Sequence, residues 1–282
     1  MIRLSAFADE ISPDPDEQLA VLRQEGIDHL ELRSAWGTNV LELSDGRLHE
    51  LAGKLEESGI GVSAIGSPIG KAPVDSDLAA QLRRFDRALE VARRLAAPYV
   101  RLFSFYPPEG ATDSTDWTPY RPTIAAQLRE MAQRAADTGI VLLHENEKDI
   151  YGDTIERCVD LLREVDSPHF RAAFDPANFI QCGQAPYPDA YDALRPWIAY
   201  VHVKDVDVAG RVVAAGEGIG NWPALLRRLG QDGYDGYFSL EPHLTHGGRF
   251  SGFSGPELFR HASHAFQQLA RQNFAAESGY GQ

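Results

Sequence analysis

Residues 140–145 read IVLLHE, an apolar run that closes on a carboxylate, and the pattern returns downstream in FRAAFD at 170–175, IAYVH at 198–202 and YFSLE at 237–241. A run of buried-strand character gains nothing in packing by ending on a charged or imidazole side chain. Four such endings in succession, Glu145, Asp175, His202 and Glu241, point to one shared polar site. Taken singly, each has an ordinary reading: Asp175-Pro176 as a turn, His202 as a hydrogen-bonded core histidine, Glu145 and Glu241 as helix caps. Together they make a ligand set of three carboxylates and one imidazole, with no thiolate, suited to a hard or borderline divalent ion. Mn²⁺ and Mg²⁺ are favoured, and Co²⁺ or Zn²⁺ also fits.

Working outward, strand-like runs stand at 2–8, 28–32, 60–66, 98–103, 140–146, 171–175, 198–204 and 236–241, bounded by Gly, Pro, Asp and Asn. Between them the apolar period changes to steps of three and four: Leu78, Leu82, Phe85, Leu89, Ala92; Ile124, Leu128, Met131, Ala135; Ile155, Val159, Leu162. Asp75 or Ser76 is positioned to cap the third helix, and the glycines of 57–59 and 137–139 end two others. A βα unit repeated eight times predicts a single-domain (β/α)8 TIM barrel over 1–273, with a loose tail at 274–282. A doubly wound open sheet is the alternative. Against it, the first βα turn, ADEISPDP at 8–15, has no glycine-rich phosphate loop. Barrel chemistry sits at the carboxyl ends of the strands, and adjacent strands five to eight bring the four ligands together.

A net charge of −14 repels polyphosphate and does not suit a general nucleic-acid binder short of a local basic groove, so a small-molecule substrate is the expectation. No apolar run approaches the roughly 20 residues of a membrane span. MIRLSAFADEI lacks a basic region followed by an apolar stretch and a cleavage site, and a cytoplasmic protein is expected. Cys158 and Cys182 are far apart, without CxxC spacing, so neither a disulfide nor a zinc–thiolate site is expected.

A second tier of residues surrounds the proposed site. Lys204 follows His202 by two and faces the same way on an extended strand, either to hold an alkoxide or carboxylate or to stand in solvent as a loop lysine. Glu31 and Arg101 sit at other strand ends, to hold substrate hydroxyls or to form a salt-bridged rim pair. His144 precedes a ligand and points away on a regular strand; a bend there would make it a substrate contact and a third acid–base group. Glu147 is assigned a surface role, Trp222 a helix anchor, and His243 either the pocket or the surface. Phe7 and Trp36 either stack on a sugar face or pack. Gly218 and Gly220 serve a turn.

The motifs HENEKD (144–149), FDPANF (174–179), HVKD (202–205), GEGIGNW (216–222) and SLEPH (239–243), with GSPIGK (66–71) and RLFSF (101–105), resemble the sugar isomerase/epimerase family of xylose isomerase-like TIM barrels, relatives of endonuclease IV. The resemblance implies one divalent cation on Glu145, Asp175, His202 and Glu241, with Glu145 and Glu241 also as acid and base. It implies an isomerase or epimerase of a sugar or keto-sugar, moving a proton beside a carbonyl through a metal-stabilised ene-diolate. Glutamates on opposite faces give epimerisation, one base serving two carbons gives aldose–ketose isomerisation, and a leaving group on the β carbon gives elimination, including carbon–glycoside cleavage. Ketose 3-epimerases of this kind carry a histidine three residues after the metal-binding aspartate. Here that position is Asn178, which can orient a substrate oxygen but cannot shuttle a proton. Strand three ends in IGSPIG, without the extra histidines of a three-zinc nuclease. A non-catalytic sugar-binding or scaffold subunit is the reading from a different class, and a homodimer or homotetramer is the expected assembly.

Overall fold

The computed structural model describes residues 2–108, 110–111, 116–245 and 252–274. Eight parallel strands form one sheet: β1 (Arg3–Ala6), β2 (His29–Leu32), β3 (Gly61–Ile65), β4 (Tyr99–Leu102), β5 (Val141–Glu145), β6 (Phe170–Phe174), β7 (Ile198–Val203) and β8 (Tyr237–Leu240). Their order is β1-β8-β7-β6-β5-β4-β3-β2, and the two ends, β1 and β2, lie in contact, so the sheet is a nearly closed barrel. Helices α1 (Pro15–Gln24), α2 (Asp45–Ser58), α3 (Leu78–Arg94), α4 (Arg121–Ala136), α5 (Ile155–Val165), α6 (Pro176–Gln181), α7 (Tyr191–Leu194), α8 (Trp222–Gln231) and α9 (Gly255–Asn273) surround it. None among the described residues is long and apolar enough to cross a membrane.

Alternation along the strands divides the core in two. Outward residues such as Leu30, Val100, Leu142, Phe174, Val201 and Phe238 join the helices in one continuous apolar layer. Inward residues Ala64, Leu143, Ala173, Tyr200 and Tyr237 form a separate cluster inside the barrel. Polar groups fill the lumen above that cluster: Ser5 Oγ lies 2.6 Å from Ser63 Oγ, which lies 2.8 Å from Tyr200 Oη. Two residues further along β5 to β8, the inward positions are Glu145, Asp175, His202 and Glu241, and that layer is the candidate site.

Several local expectations meet their physical tests here. Gly59 closes α2 in the left-handed region at φ 70°, where other residues are strained. The cap of α3 is Asp77, not Asp75 or Ser76: Asp77 Oδ1 accepts from Ala79 N at 2.9 Å, while Ser76 Oγ donates to Pro73 O. The tail placed at 274–282 lies outside the described residues except for Phe274, whose ring meets Phe238 edge-on at 5.5 Å.

Candidate metal centre and active site

Glu145 is the last residue of β5, and His202 lies inside β7. Asp175 and Glu241 stand one residue beyond β6 and β8. Each position repeats the inward face below it: Leu143 then Glu145, Ala173 then Asp175, Tyr200 then His202, Ser239 then Glu241. Asp175 also caps α6, spending Oδ1 on the amide of Asn178 at 2.9 Å and leaving Oδ2 for the centre. From His202 Nδ1 it is 3.3 Å to Glu145 Oε1, 3.7 Å to Glu241 Oε2 and 3.9 Å to Asp175 Oδ2. The four ligand atoms lie within 4.8 Å of one another, and all four residues are buried.

These atoms fit a cation. Bonds of about 2.1 Å place tetrahedral ligands about 3.4 Å apart, close to the separations found. Asp175 Oδ2 and His202 Nδ1 are buried without a hydrogen bond, a loss of about 1–3 kcal/mol per group that coordination would recover. Lys204 Nζ is 2.9 Å from Asp175 Oδ2, an ionic contact without hydrogen-bond alignment, and donates to Glu241 Oε2 at 3.2 Å. Arg101 Nη1 donates to Glu145 Oε2 at 3.1 Å, and Asn178 Nδ2 donates to Glu145 Oε1 at 3.1 Å.

Charge sets the protonation of this group. Burial opposes ionisation of Glu145, but the cations His202 and Arg101 outweigh it and hold the carboxyl at about 2. Burial likewise opposes ionisation of Glu241, and Lys204, His243 and His202 together keep it well below the usual carboxylate range. For Asp175 burial wins over Lys204 and pushes the carboxyl up to about 6. Burial disfavours the imidazolium of His202, yet Glu145 and Glu31 raise it well above its ordinary value. As a ligand His202 is neutral, so cation binding there releases a proton.

The second tier divides. Lys204 faces the centre as its register predicts. Glu31 neither pairs with Arg101 nor stands free for substrate: buried inside the barrel, its Oε2 lies 3.1 Å from His202 Nε2. It orients the imidazole from behind, the arrangement that fixes which nitrogen a metal receives. Glu31→Gln is therefore expected to weaken Mn²⁺ binding about 10–100-fold, measured calorimetrically on the metal-stripped protein. Unchanged affinity would show that Glu31 does not tune the imidazole. His144 is a correction to the substrate-contact reading: β5 stays regular through Glu145, and the ring turns outward to Phe170 at 6.0 Å. There burial pushes its imidazole down to about 4. Asn178 reaches the centre through Glu145, whose oxygen it holds.

Glu147 pairs with Lys71 at 3.1 Å near the surface. Phe7 is fully buried below His202, with Arg33 and Arg101 over its ring at 4.7 and 4.9 Å, and so packs. Trp36 is half-buried beneath Arg47. Trp222 opens α8 fully buried and donates from its indole to Lys204 O at 3.2 Å. His243 does reach the pocket, with Nε2 3.5 Å from Glu241 Oε1. Reading the sequence did not single out Arg33, Asp9, Glu10 or Asn146. Arg33 contacts Glu241 Oε1 at 3.5 Å and pairs with Asp9 at 2.8 Å. It stands two residues after Glu31, and the parity used for Lys204 would have found it. Asn146 clamps the backbone of Asp175 through two 2.9 Å bonds.

The glycines of GEGIG surround a carboxylate from their own chain. Asp205 accepts from the amides of Gly216, Gly218 and Gly220 at 3.0, 3.2 and 2.9 Å, and from Val206 N at 2.8 Å. A Cβ on Gly218 would stand 2.4 Å from Val206 O, so the loop closes this tightly only as glycine.

Comparison with known proteins agrees with this architecture. The model of the xylose isomerase-like TIM barrel family matches residues 19–269, and the chain belongs to that family. It is 26% identical over 128 residues to the 3-dehydroshikimate dehydratase of Bacillus anthracis, a match spanning 44% of this chain and 45% of that protein. Among solved structures it resembles the D-psicose 3-epimerase of Clostridium cellulolyticum H10 in complex with D-tagatose (TM-score 0.78, 16% identity, 97% of this chain and 100% of that one). It also resembles a xylose isomerase-like TIM barrel protein of Mycobacterium smegmatis in complex with magnesium (TM-score 0.70, 21% identity, 96% and 97%).

Proposed function

We propose that the chain is an enzyme, a divalent-metal-dependent isomerase or epimerase of a sugar or keto-sugar derivative that transfers a proton next to a carbonyl. One observation carries the reading: Glu145 and Glu241, held anionic on β5 and on the turn after β8, approach the same imidazole nitrogen to 3.3 and 3.7 Å, each with its own cationic partner. A divalent ion bound by Glu145, Asp175, His202 and Glu241 would polarise a substrate carbonyl and acidify the adjacent C–H. One glutamate takes that proton, and either the same group or the opposite one returns it. Lys204 and Arg101 are placed to offset negative charge developing on a substrate oxygen. Asn178 fixes the Glu145 oxygen it bonds, so that the base meets the substrate in one orientation.

A second reading, elimination by the same base, draws support from Asn178, which stands where related ketose 3-epimerases carry histidine, and from the partial match to a dehydratase. Mn²⁺ or Mg²⁺ is the favoured ion. A carbohydrate substrate, a cytoplasmic location and a homodimer or homotetramer complete the proposal.

Chelation of the protein, followed by reconstitution with Mn²⁺ or Mg²⁺ and product analysis on a panel of ketoses and 3-keto sugars, tests it. Activity should vanish with the metal and return with it, giving an isomer of unchanged mass. A product lighter by one water would establish the elimination reading, and activity indifferent to chelation would refute both.

A further inference from the structure

Glu241 presents its two oxygens in different directions. Oε2 faces Lys204 at 3.2 Å and His202 Nδ1 at 3.7 Å, whereas Oε1 faces His243 Nε2 and Arg33 Nη1, both at 3.5 Å. On that second side Glu10, from the first βα turn, is fully buried. Its Oε2 is committed, accepting from His243 N at 2.8 Å and Ser254 Oγ at 3.1 Å. Its Oε1 lies 3.3 Å from His243 Nε2, and both of these buried atoms lack a hydrogen-bond partner.

The imidazole is built into this position. His243 holds a left-handed backbone at φ 48°, a conformation costing on the order of 1 kcal/mol, and the hydrogen bond its backbone N–H donates to Glu10 Oε2 secures it. Its ring lies where a side chain at Gly252 would stand, since a Cβ there would fall 1.1 Å from His243 Cδ2.

We propose that Glu10 Oε1, Glu241 Oε1 and His243 Nε2 form a second divalent-cation site, with Glu241 bridging it to the centre on β5–β8. The three atoms lie within 4.8 Å of one another, and the two separations at His243, 3.3 and 3.5 Å, match the roughly 3.4 Å between ligands on a tetrahedral ion. Two carboxylates and one imidazole are a zinc-type donor set with room for a fourth ligand. Arg33 brings an opposing charge, 4.0 Å from Glu10 Oε1, and Asp9 offsets it through a 2.8 Å ion pair. A pair of cations sharing one carboxylate would grip adjacent oxygens of a substrate from both sides of Glu241. The inference goes beyond the proposed function and shares only Glu241 with it.

The test is a metal count. The full chain is stripped with a chelator, titrated with Zn²⁺ alone in a calorimeter, and the bound metal is measured after gel filtration. Two zinc ions per chain are expected for the wild type, one for His243→Ala and one for Glu10→Gln. A zinc count unchanged by both substitutions overturns the proposal, whether the wild type binds one ion or two. Should the variants fail to fold, anomalous diffraction at the zinc edge on wild-type crystals decides: a peak between Glu10 and His243 supports the site, and none there refutes it. Zinc at Glu10–His243 with none at Asp175–His202 would keep this site while removing the metal basis of the proposed function.

Discussion

Glu145→Gln and Glu241→Gln should each lower kcat about a thousandfold or more, since removal of a positioned base alone is worth about 10²–10⁴. Glutamine keeps the volume and one acceptor oxygen, but it neither takes a proton nor offers an anionic ligand. The two variants should differ in their side effects. In Glu145→Gln, Arg101 loses the carboxylate it bonds at 3.1 Å and keeps only a 4.0 Å approach to Glu241 among the ligand carboxylates. In Glu241→Gln, Lys204 retains Asp175 at 2.9 Å. The loss of binding charge should therefore appear in KM more strongly for Glu145→Gln, while kcat collapses in both. Steady-state kinetics on the substrate identified by the panel, with thermal melts to show intact folding, checks this. Activity within tenfold of wild type in either variant would remove that glutamate from the proton-transfer role.

Asp205→Ala should cost about 4 kcal/mol of stability, near the top of the range for single substitutions. The carboxylate accepts four backbone amides, three of them from the loop 216–220. Buried hydrogen bonds to a charged acceptor contribute about 1.5–3 kcal/mol each, and the loop recovers part of that sum by reaching water once the anchor is gone. Asn at 205 keeps one acceptor oxygen and loses the other, so Asp205→Asn should fall between the two. Urea unfolding reads both, and a loss under about 1 kcal/mol in the alanine variant would show that the loop holds itself. Because Asp205 follows Lys204, whose carbonyl anchors Trp222, the same change should also loosen the ammonium at the centre.

Much of this architecture was legible because two periods carried it. The apolar strands ending on Glu145, Asp175, His202 and Glu241 placed these four at one mouth of the barrel, and the step of two set Lys204 beside them and turned His144 outward. Its strand-end position marked Glu31 only as a rim residue, open to substrate hydroxyls or paired with Arg101. Only the closed lumen shows that Glu31 meets His202 from the opposite wall, beneath the ligands. Arg33 obeyed the same parity and was passed over because it lies one residue beyond β2. Glu10, Asp9 and His243 belong to turns, where direction follows from individual dihedrals such as the φ of 48° at His243, and no repeating pattern in sequence encodes it. The short helices α6 and α7 gave no signal either: at six and four residues, within a stretch holding Pro176, Pro186 and Pro188, they are too brief for an amphipathic period. Asp77 rather than Asp75 or Ser76 caps α3 because three adjacent residues can all cap, and only the entry angle of the chain selects one.

Proton transfer beside a carbonyl through a solvent-exchanging glutamate leaves solvent deuterium on carbon. The Mn²⁺-loaded protein is incubated in D₂O with ketoses, 3-keto sugars and inosose-like ketones, and the carbon-bound deuterium is located by NMR, with Glu145→Gln and Glu241→Gln alongside. Deuterium is expected at a carbon adjacent to the carbonyl in at least one member of the panel, and none with either variant. Turnover of a panel member with no solvent deuterium in the product, or equal incorporation by both variants, would contradict it.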